Sequence, residues 1–124
     1  MATLDDLATT ALSLPGIVQN GNAFEVEVRG KMKGICWVWL ERLEPKKARV
    51  PNPRFWAIST ASLSAREVIE QTDPEFFIHD PHYNNYPAVV VELAKVPNDI
   101  LRDLLIEAWR SKAPKALQQS HPEI

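Results

Sequence analysis

The sequence predicts an α+β fold in which helices pack against one antiparallel β-sheet. Three observations carry this prediction: helical periodicity near both ends of the chain, strand-like alternation between them, and short links between neighbouring strands. Strands joined by links of hairpin length pair antiparallel, whereas a doubly wound parallel sheet needs longer crossovers. The 124 residues suffice for one domain, assigned to residues 1–117, and the polar residues 118–124 are expected to form a frayed tail.

The first helix is expected to begin after Thr3. Apolar residues then recur at the i, i+3, i+4 and i+7 spacing of one helical face, from Leu4 to Leu12. Asp6 stands three residues after Thr3, which is the spacing of a capping box. The Pro15-Gly16 pair ends this helix.

Two strands are expected after the first helix. Residues 23–29 alternate apolar and charged side chains, which predicts a half-buried strand, and the turn is expected at Gly30-Lys31. Residues 33–40 carry apolar side chains on both faces, as in a central strand. Strict alternation places Ile35, Trp37 and Trp39 on one face and Cys36, Val38 and Leu40 on the other.

The middle of the chain is predicted to hold a long loop, a strand and a helix. Residues 41–53 contain Pro45 and Pro51, several charges and no sustained period, which predicts a loop. A short strand is expected at residues 55–60. Ser64 and Glu67 have the spacing of a second capping box, which would open a helix that ends at Asp73-Pro74.

The last third of the chain is predicted to form two strands and the clearest helix. Residues 76–78 form a short strand, and residues 79–87 form a turn-rich connector in which Asn84-Asn85 can adopt positive φ. Residues 88–94 form a strand that buries Val89, Val91 and Leu93. From Val96 onward, apolar residues fall on one helical stripe that Pro114 closes.

Composition excludes several classes of protein. A single cysteine, Cys36, cannot form an internal disulfide or a cysteine-rich zinc site. No apolar run reaches the ~18 residues of a membrane span, and no basic region followed by an apolar stretch marks a signal peptide at the N-terminus. The sequence therefore predicts a cytoplasmic protein that does not associate with membranes and is stabilised by packing.

The order of motifs resembles that of the MmcQ/YjbR family of small bacterial proteins, over nearly the whole chain. The resemblance rests on these segments: Ala11–Gly16, Arg29–Lys31, Val50–Pro53, Asp73–Phe77, Pro81–Pro87, Ala108–Arg110 and Ala113–Lys115. It implies a CyaY-like, double-wing α+β fold and a DNA-binding protein, with no catalytic residue and no cofactor to carry over. Frataxins, with a similar fold, bind iron on an acidic helix edge. Here the first helix has only Asp5 and Asp6, so no metal site is expected.

Positive charge is concentrated in one part of the chain, although the net charge is −2. Residues 29–54 hold eight basic and two acidic side chains, so one end of the molecule is expected to be cationic and to meet phosphates. The DNA-binding candidates are Arg29, Lys31, Lys33, Lys46, Lys47, Arg49 and Arg54. An ordinary solvated loop explains the same charges, and a pI of about 5.9 is low for a protein that binds nucleic acid.

A secondary cationic group occurs at the end of the last helix. Its members are Arg110, Lys112 and Lys115. Cations at this position also interact favourably with the negative end of the helix dipole, which is a sufficient structural explanation. The group would extend a DNA-binding surface only if the helix end lies beside the basic loops.

Two further clusters have both a structural and a functional interpretation. His79, Asp80 and His82 are suitable metal or acid–base groups, but their spacing in a proline-bounded turn favours hydrogen bonds that close the turn. Aromatic side chains could line a ligand pocket, although core packing also explains them. The candidate pocket residues are Trp37, Trp39, His82, Tyr83 and Tyr86.

The sequence therefore favours a non-enzymatic binding module. Its expected partner is DNA, held through phosphates with little reading of base sequence. The alternative is a small-molecule or protein-binding domain that uses the aromatic region and has no nucleic-acid role. A monomer is the default expectation for the oligomeric state, which the sequence does not specify.

Overall fold

A six-stranded antiparallel sheet forms the centre of the molecule. The computed structural model describes residues Met1 to Ile124. Its strands are β1 (Ile17–Asn20), β2 (Ala23–Val28), β3 (Lys31–Glu41), β4 (Val50–Ser59), β5 (Phe77–Ile78) and β6 (Ala88–Glu92). They lie in the order β1-β2-β3-β4-β6-β5, and every neighbouring pair is antiparallel. The predicted α+β class with an antiparallel sheet is therefore confirmed.

Four helices accompany the sheet. They are α1 (Leu4–Ser13), α2 (Leu63–Thr72), α3 (Asn98–Lys112) and α4 (Lys115–Gln119), with short 3-10 turns at Pro74–Phe76 and Pro81–Tyr83. None of these helices is long and apolar enough to span a bilayer.

The core lies between one face of the sheet and the helices α1 and α3. Alternate residues of the strands supply its sheet side, among them Phe24, Trp56 and Val91. The predicted stripe of α3 supplies the helix side, and Trp109 is buried with its Nε1 donating to Pro15 O at 2.8 Å. This hydrogen bond satisfies the indole N–H that burial would otherwise leave unpaired.

The predicted capping box of α1 is present. Asp6 N donates to Thr3 Oγ1 at 3.1 Å, and Thr3 N donates to an Asp6 carboxylate oxygen at 2.9 Å. These bonds from Thr3 lower the pKa of Asp6, because they favour the ionised carboxylate. The capping box fixes the start of α1, and thereby turns Leu7 and Ala11 into the core.

The long loop predicted for residues 41–53 is shorter in the structure. β3 continues to Glu41 and β4 begins at Val50, so the loop comprises residues 42–49. Pro51 lies within β4, where it pairs with β3. Because β6 pairs with β4 only from Phe55 onward, the part of β4 around Pro51 has a neighbouring strand on one side only, which is where a strand tolerates proline. The sequence also did not predict β1, in which only Ile17 is buried.

Two local predictions are wrong in detail. The hairpin turn lies at Arg29-Gly30, where φ is +53° and +79°, one residue before the predicted position. A register irregularity beside Phe24 and Glu25 breaks the alternation of β3, so Ile35 and Cys36 are both buried in the core.

The helices after β4 also differ from expectation. Ser62, not Ser64, caps α2, and its Oγ accepts from Ala65 N at 3.0 Å without a capping box. Residues 118–124 were expected to form a frayed tail. Gln118 instead lies within α4, and its Nε2 donates to Ala113 O at 2.8 Å. Ile124 packs against the core. The tail therefore lies against the fold.

Candidate functional site

Two basic loops lie at opposite ends of β3. The hairpin loop is defined as the turn residues 29–30, which connect β2 to β3, together with the first three residues of β3, 31–33. The wing loop, residues 42–49, connects β3 to β4. Because β3 has eleven residues, its two ends, Lys31 and Glu41, are about 33 Å apart along the strand. The expectation of one cationic end is therefore wrong: the sequence segment is continuous, but the strand between its two clusters separates them.

The hairpin loop presents three exposed cations, Arg29, Lys31 and Lys33. None of them has a carboxylate within 4.0 Å. Positive φ at both central residues is the geometry of a tight two-residue hairpin, so the backbone that carries these side chains is well defined. Unpaired cations on an ordered turn are available to an anionic partner without the loss of an existing ion pair.

The wing loop is organised by Arg42. Its Nη1 donates to the carbonyl oxygens of Pro45 and Lys47, each at 3.0 Å. Lys46 is exposed and has no carboxylate partner, whereas Lys47 pairs with Glu44 at 3.3 Å. An exposed pair of this kind contributes little, so Lys47 can exchange Glu44 for a phosphate at low cost.

Two predicted DNA contacts have other partners in the structure. Arg49 is half-buried: its Nη1 lies 3.3 Å from Asp80 Oδ2 and donates to Leu40 O at 2.9 Å. Arg54 is exposed, lies over the Phe55 ring at 5.6 Å, and is 3.9 Å from Glu92. Arg49 therefore stabilises the fold and is no longer a candidate for phosphate binding, while Arg54 stays accessible.

Asp80 ties the connector after β5 to the end of β3. Its carboxylate accepts from Trp39 Nε1 at 2.9 Å and from His82 N at 2.9 Å, and it pairs with Arg49. Burial acts to raise the pKa of Asp80, but the hydrogen bonds from Trp39 and His82 and the charge of Arg49 outweigh it and lower that pKa below its ordinary value. Asp80 is thus an ionised structural anchor.

The aromatic candidates form a closed cluster on the second face of the sheet. Trp37 Nε1 donates to Tyr83 Oη at 3.0 Å, and the Trp37 and Tyr86 rings meet edge to face at 5.8 Å. Tyr83 also contacts the rings of His82 and Tyr86. No cavity is lined by Trp37, Tyr83 or Tyr86. These side chains cover the sheet and leave no pocket between them.

Trp39 is the aromatic candidate that does line a cavity. This open cavity has a volume of about 280 Å³. It is lined by Trp39, Glu41, Arg42, Arg49, His79, Asp80 and Pro81. His79 and His82 are exposed, and these histidines do not join a cluster of three side chains that could hold a metal ion.

Arg66 is the important residue that the sequence did not indicate. From α2, its guanidinium donates to the carbonyl oxygens of Tyr83, Asn84 at 3.2 Å and Tyr86 at 3.0 Å. It also lies 3.6 Å from Glu70. In the sequence, Arg66 and Glu70 have only the i, i+4 spacing of an ordinary ion pair on a helix. That spacing does not indicate that Arg66 donates to main-chain carbonyls seventeen or more residues away.

The helix α4, which begins at the secondary cation Lys115, lies near β2. Gly16 has φ +75°, and a Cβ there would lie 2.9 Å from Leu117 of α4 and 3.6 Å from Val26. Because Val26 pairs with Lys33, α4 is near the base of the hairpin. Of the group, Arg110 pairs with Glu107 at 2.8 Å, whereas Lys112 and Lys115 have no carboxylate partner within 4.0 Å.

Comparison with known sequences gives distant relatives. No family model matches the chain. The chain is 27% identical over 126 residues to the uncharacterized proteins Rv2570 of Mycobacterium tuberculosis and Mb2600 of Mycobacterium bovis. Each alignment covers 97% of this chain and 95% of the relative.

Comparison with solved structures addresses the fold. The chain is similar to the crystal structure of Deinococcus radiodurans protein DR2400, which has a DUF419 domain, with a TM-score of 0.67 and 21% identity. The match covers 97% of this chain and 88% of that one. DUF419 lies within the MmcQ/YjbR family. This chain therefore has the fold of a DUF419 domain, the fold expected from its resemblance to the MmcQ/YjbR family.

Proposed function

We propose that this protein is a non-enzymatic module that binds the phosphate backbone of DNA through its two basic loops. The loop contacts in this proposal are Arg29, Lys31, Lys33, Lys46 and Lys47, and Arg54 on the adjoining strand β4 is a further contact. Arg49 is omitted because Asp80 and Leu40 O occupy its Nη1.

The observation that carries the proposal is the group of exposed cations without carboxylate partners, at both ends of β3. Arg29, Lys31 and Lys33 form the first end, and Lys46 belongs to the second. A lysine ammonium is a compact charge on a flexible stem, which suits contact with phosphates in varied positions. Such contacts position a protein on DNA and carry no base sequence directly.

The distance between the loops supports a duplex as the partner. The span of β3 is about 33 Å, and one turn of B-DNA is about 34–36 Å. Two loops at this separation can each meet the backbone on the same side of the duplex, one turn apart. Single-stranded DNA lacks this fixed repeat and should bind less tightly.

The acidic residues elsewhere in the chain limit the expected affinity for DNA. Residues 64–107 hold nine acidic and three basic side chains, so the overall charge does not attract DNA and the loops must do so locally. Binding through a small number of phosphates should be weak, and it should fall as the salt concentration rises, because the release of counterions then contributes less free energy.

The test is fluorescence anisotropy of a labelled duplex, titrated at low salt and at about 150 mM. We expect Lys31→Gln with Lys33→Gln to weaken binding and to reduce the salt slope by about 0.9 for each phosphate that the variant no longer neutralises. The matched control for Lys31→Gln alone is Arg102→Gln, which removes one charge from an exposed, unpaired cation outside both loops. Absence of duplex binding at low salt, or equal weakening in the control, would reject the proposal.

The cavity beside Trp39 supports a second candidate function, the binding of a small polar molecule. Its lining combines an indole with an imidazole, that of His79, and with charged groups, including Glu41 and Arg42, which is a composition that orients a polar ligand. A shift of tryptophan fluorescence on addition of a metabolite, lost in Trp39→Phe and retained in Lys31→Gln with Lys33→Gln, would favour this function over DNA binding.

A further inference from the structure

A groove between α2 and α3 lies outside both basic loops. Its volume is about 230 Å³, and its floor is apolar, formed by Ile69, Phe77, Ile100 and Leu104. Val68 stands on its wall with 64% of its surface exposed. Single exposed apolar side chains are ordinary, but here Val68 continues an apolar floor, so the exposed surface is contiguous.

The polar lining of the groove is acidic. Asp73, Asp103 and Glu107 line it together with Thr72, and no lysine, arginine or histidine does so. Glu107 pairs with Arg110 at 2.8 Å, whereas Asp73 and Asp103 have no ion-pair partner. The groove therefore combines an apolar floor with unneutralised negative charge at its sides.

The helix α2 leaves this side of the molecule incompletely packed. It has ten residues and none of them is buried. Its attachment relies on Arg66, which bonds to the connector of residues 83–86, and on partial packing of Ile69 against the core. An amphipathic helix normally buries its apolar stripe, so the exposed Val68 marks a stripe that has no partner within the chain.

We propose that this groove docks a cationic amphipathic helix of a partner protein. Apolar side chains at i, i+3, i+4 and i+7 of that helix would cover Val68 and the floor, as in other helix-in-groove complexes. Lysine or arginine side chains flanking its apolar stripe would meet Asp73 and Asp103, since charge complementarity selects and orients a partner.

This interaction is separate from DNA binding. The groove takes a positively charged partner, whereas the basic loops take a negatively charged one. The groove is lined by residues of α2, β5 and α3 together with Asp73, and none of them is a proposed DNA contact. A substitution can therefore remove either interaction without changing a contact residue of the other.

The probe for the groove is a short labelled helical peptide made only of leucine and lysine, with leucines on one face. Anisotropy titrations would compare it with a second peptide in which glutamate replaces lysine. We expect the wild-type protein to bind the lysine peptide and not the glutamate peptide. Val68→Gln should weaken lysine-peptide binding about tenfold, because it removes most of the apolar burial of one valine.

Each groove variant has a matched control. Leu43→Gln changes a residue that is 68% exposed in the wing loop and should leave peptide binding unchanged. Asp103→Asn should weaken binding severalfold at low salt and much less at about 1 M salt, where the Debye length is about 3 Å. Glu27→Gln, an exposed carboxylate on β2, should have no such effect.

Three results would overturn the proposal. They are equal binding of the lysine and glutamate peptides, equal weakening by Val68→Gln and Leu43→Gln, and self-association of the free protein. In the last case, sedimentation would show oligomers of the wild-type chain that both Val68→Gln and Leu43→Gln abolish. The occupant would then be the wing loop of a second copy.

Discussion

Arg66 is the residue on which the connector between β5 and β6 most depends. Its side chain bonds to three main-chain carbonyls of residues 83–86, and it is largely buried beside Glu70. Replacing it with methionine keeps an apolar stem but removes all three charge-assisted hydrogen bonds, although Tyr83 O and Tyr86 O each keep one backbone donor. Hydrogen bonds to a charged group contribute about 1.5–3 kcal/mol.

We therefore expect Arg66→Met to lower the free energy of unfolding by about 2–3 kcal/mol, measured by urea denaturation. Arg102→Met is the matched control, since Arg102 is an exposed residue of α3 with no ion pair. It should change stability by less than about 0.5 kcal/mol. Equal effects of the two substitutions would show that Arg66 does not anchor the connector.

Asp80 gives the fold a pH-dependent contribution. Its pKa is lowered in the folded protein, so the folded state favours the ionised carboxylate more than the unfolded state does. The stability from Asp80 is therefore complete above its unfolded pKa of about 3.9, and it is lost as the pH falls through the lower folded pKa.

Urea denaturation of the wild type and Asp80→Asn at several pH values tests this contribution. The wild type should be more stable at pH 7, and the difference should shrink between about pH 5 and pH 2. A difference that stays constant over that range would mean that the Asp80 charge does not contribute to stability.

These residue contacts mark the limit of what the sequence predicts about the site. The charges of Arg49 and Asp80 were visible in the sequence, but the pair joins a loop after β3 to a turn after β5, thirty-one residues apart. Whether a cation is free or paired depends on such distant neighbours. The sequence alone could therefore not distinguish Lys31, which is accessible, from Arg49, which is paired with Asp80. Only the three-dimensional structure separates them.

In the hairpin between β2 and β3, Arg29 has both an unusual backbone conformation and a proposed role in DNA binding. Arg29 has φ +53°, a conformation that asparagine adopts readily and a β-branched residue does not. Arg29→Asn should preserve stability, whereas Arg29→Val should lower it by about 1–2 kcal/mol.

Thermal denaturation measures the stability of both variants, and anisotropy measures their DNA affinity. Both substitutions remove the same charge, so both should weaken duplex binding equally if the role of Arg29 is electrostatic. Weaker binding by Arg29→Val alone would assign the effect to the shape of the turn.

The elements differ in how far their sequence patterns determine them. The helices α1 and α3 were predictable because each has a continuous apolar stripe, and α1 also has its capping box. β1 has four residues with a single buried position, too few to show a period. The bulge beside Ile35 arises from pairing between strands, which no local pattern encodes.

At the scale of the whole molecule, positive and negative charge belong to different sets of residues. The basic loops adjoin the two ends of β3, whereas the acidic groove lies between α2 and α3. No residue that lines the groove is a proposed DNA contact, and neither Asp73 nor Asp103 pairs with a cation of the loops. A substitution at one site therefore removes no contact of the other.

The two proposed sites should therefore act independently. Lys31→Gln with Lys33→Gln should weaken duplex binding and leave the affinity for the lysine peptide within about twofold of the wild type, because substitutions at sites without a shared partner contribute additively. Val68→Gln should weaken binding of the lysine peptide and leave the affinity for the duplex within about twofold of the wild type. Anisotropy with each probe on each variant measures all four affinities at about 150 mM salt. If both variants weakened both interactions, the two probes would share one surface, and the basic loops and the acidic groove would not be separate binding sites.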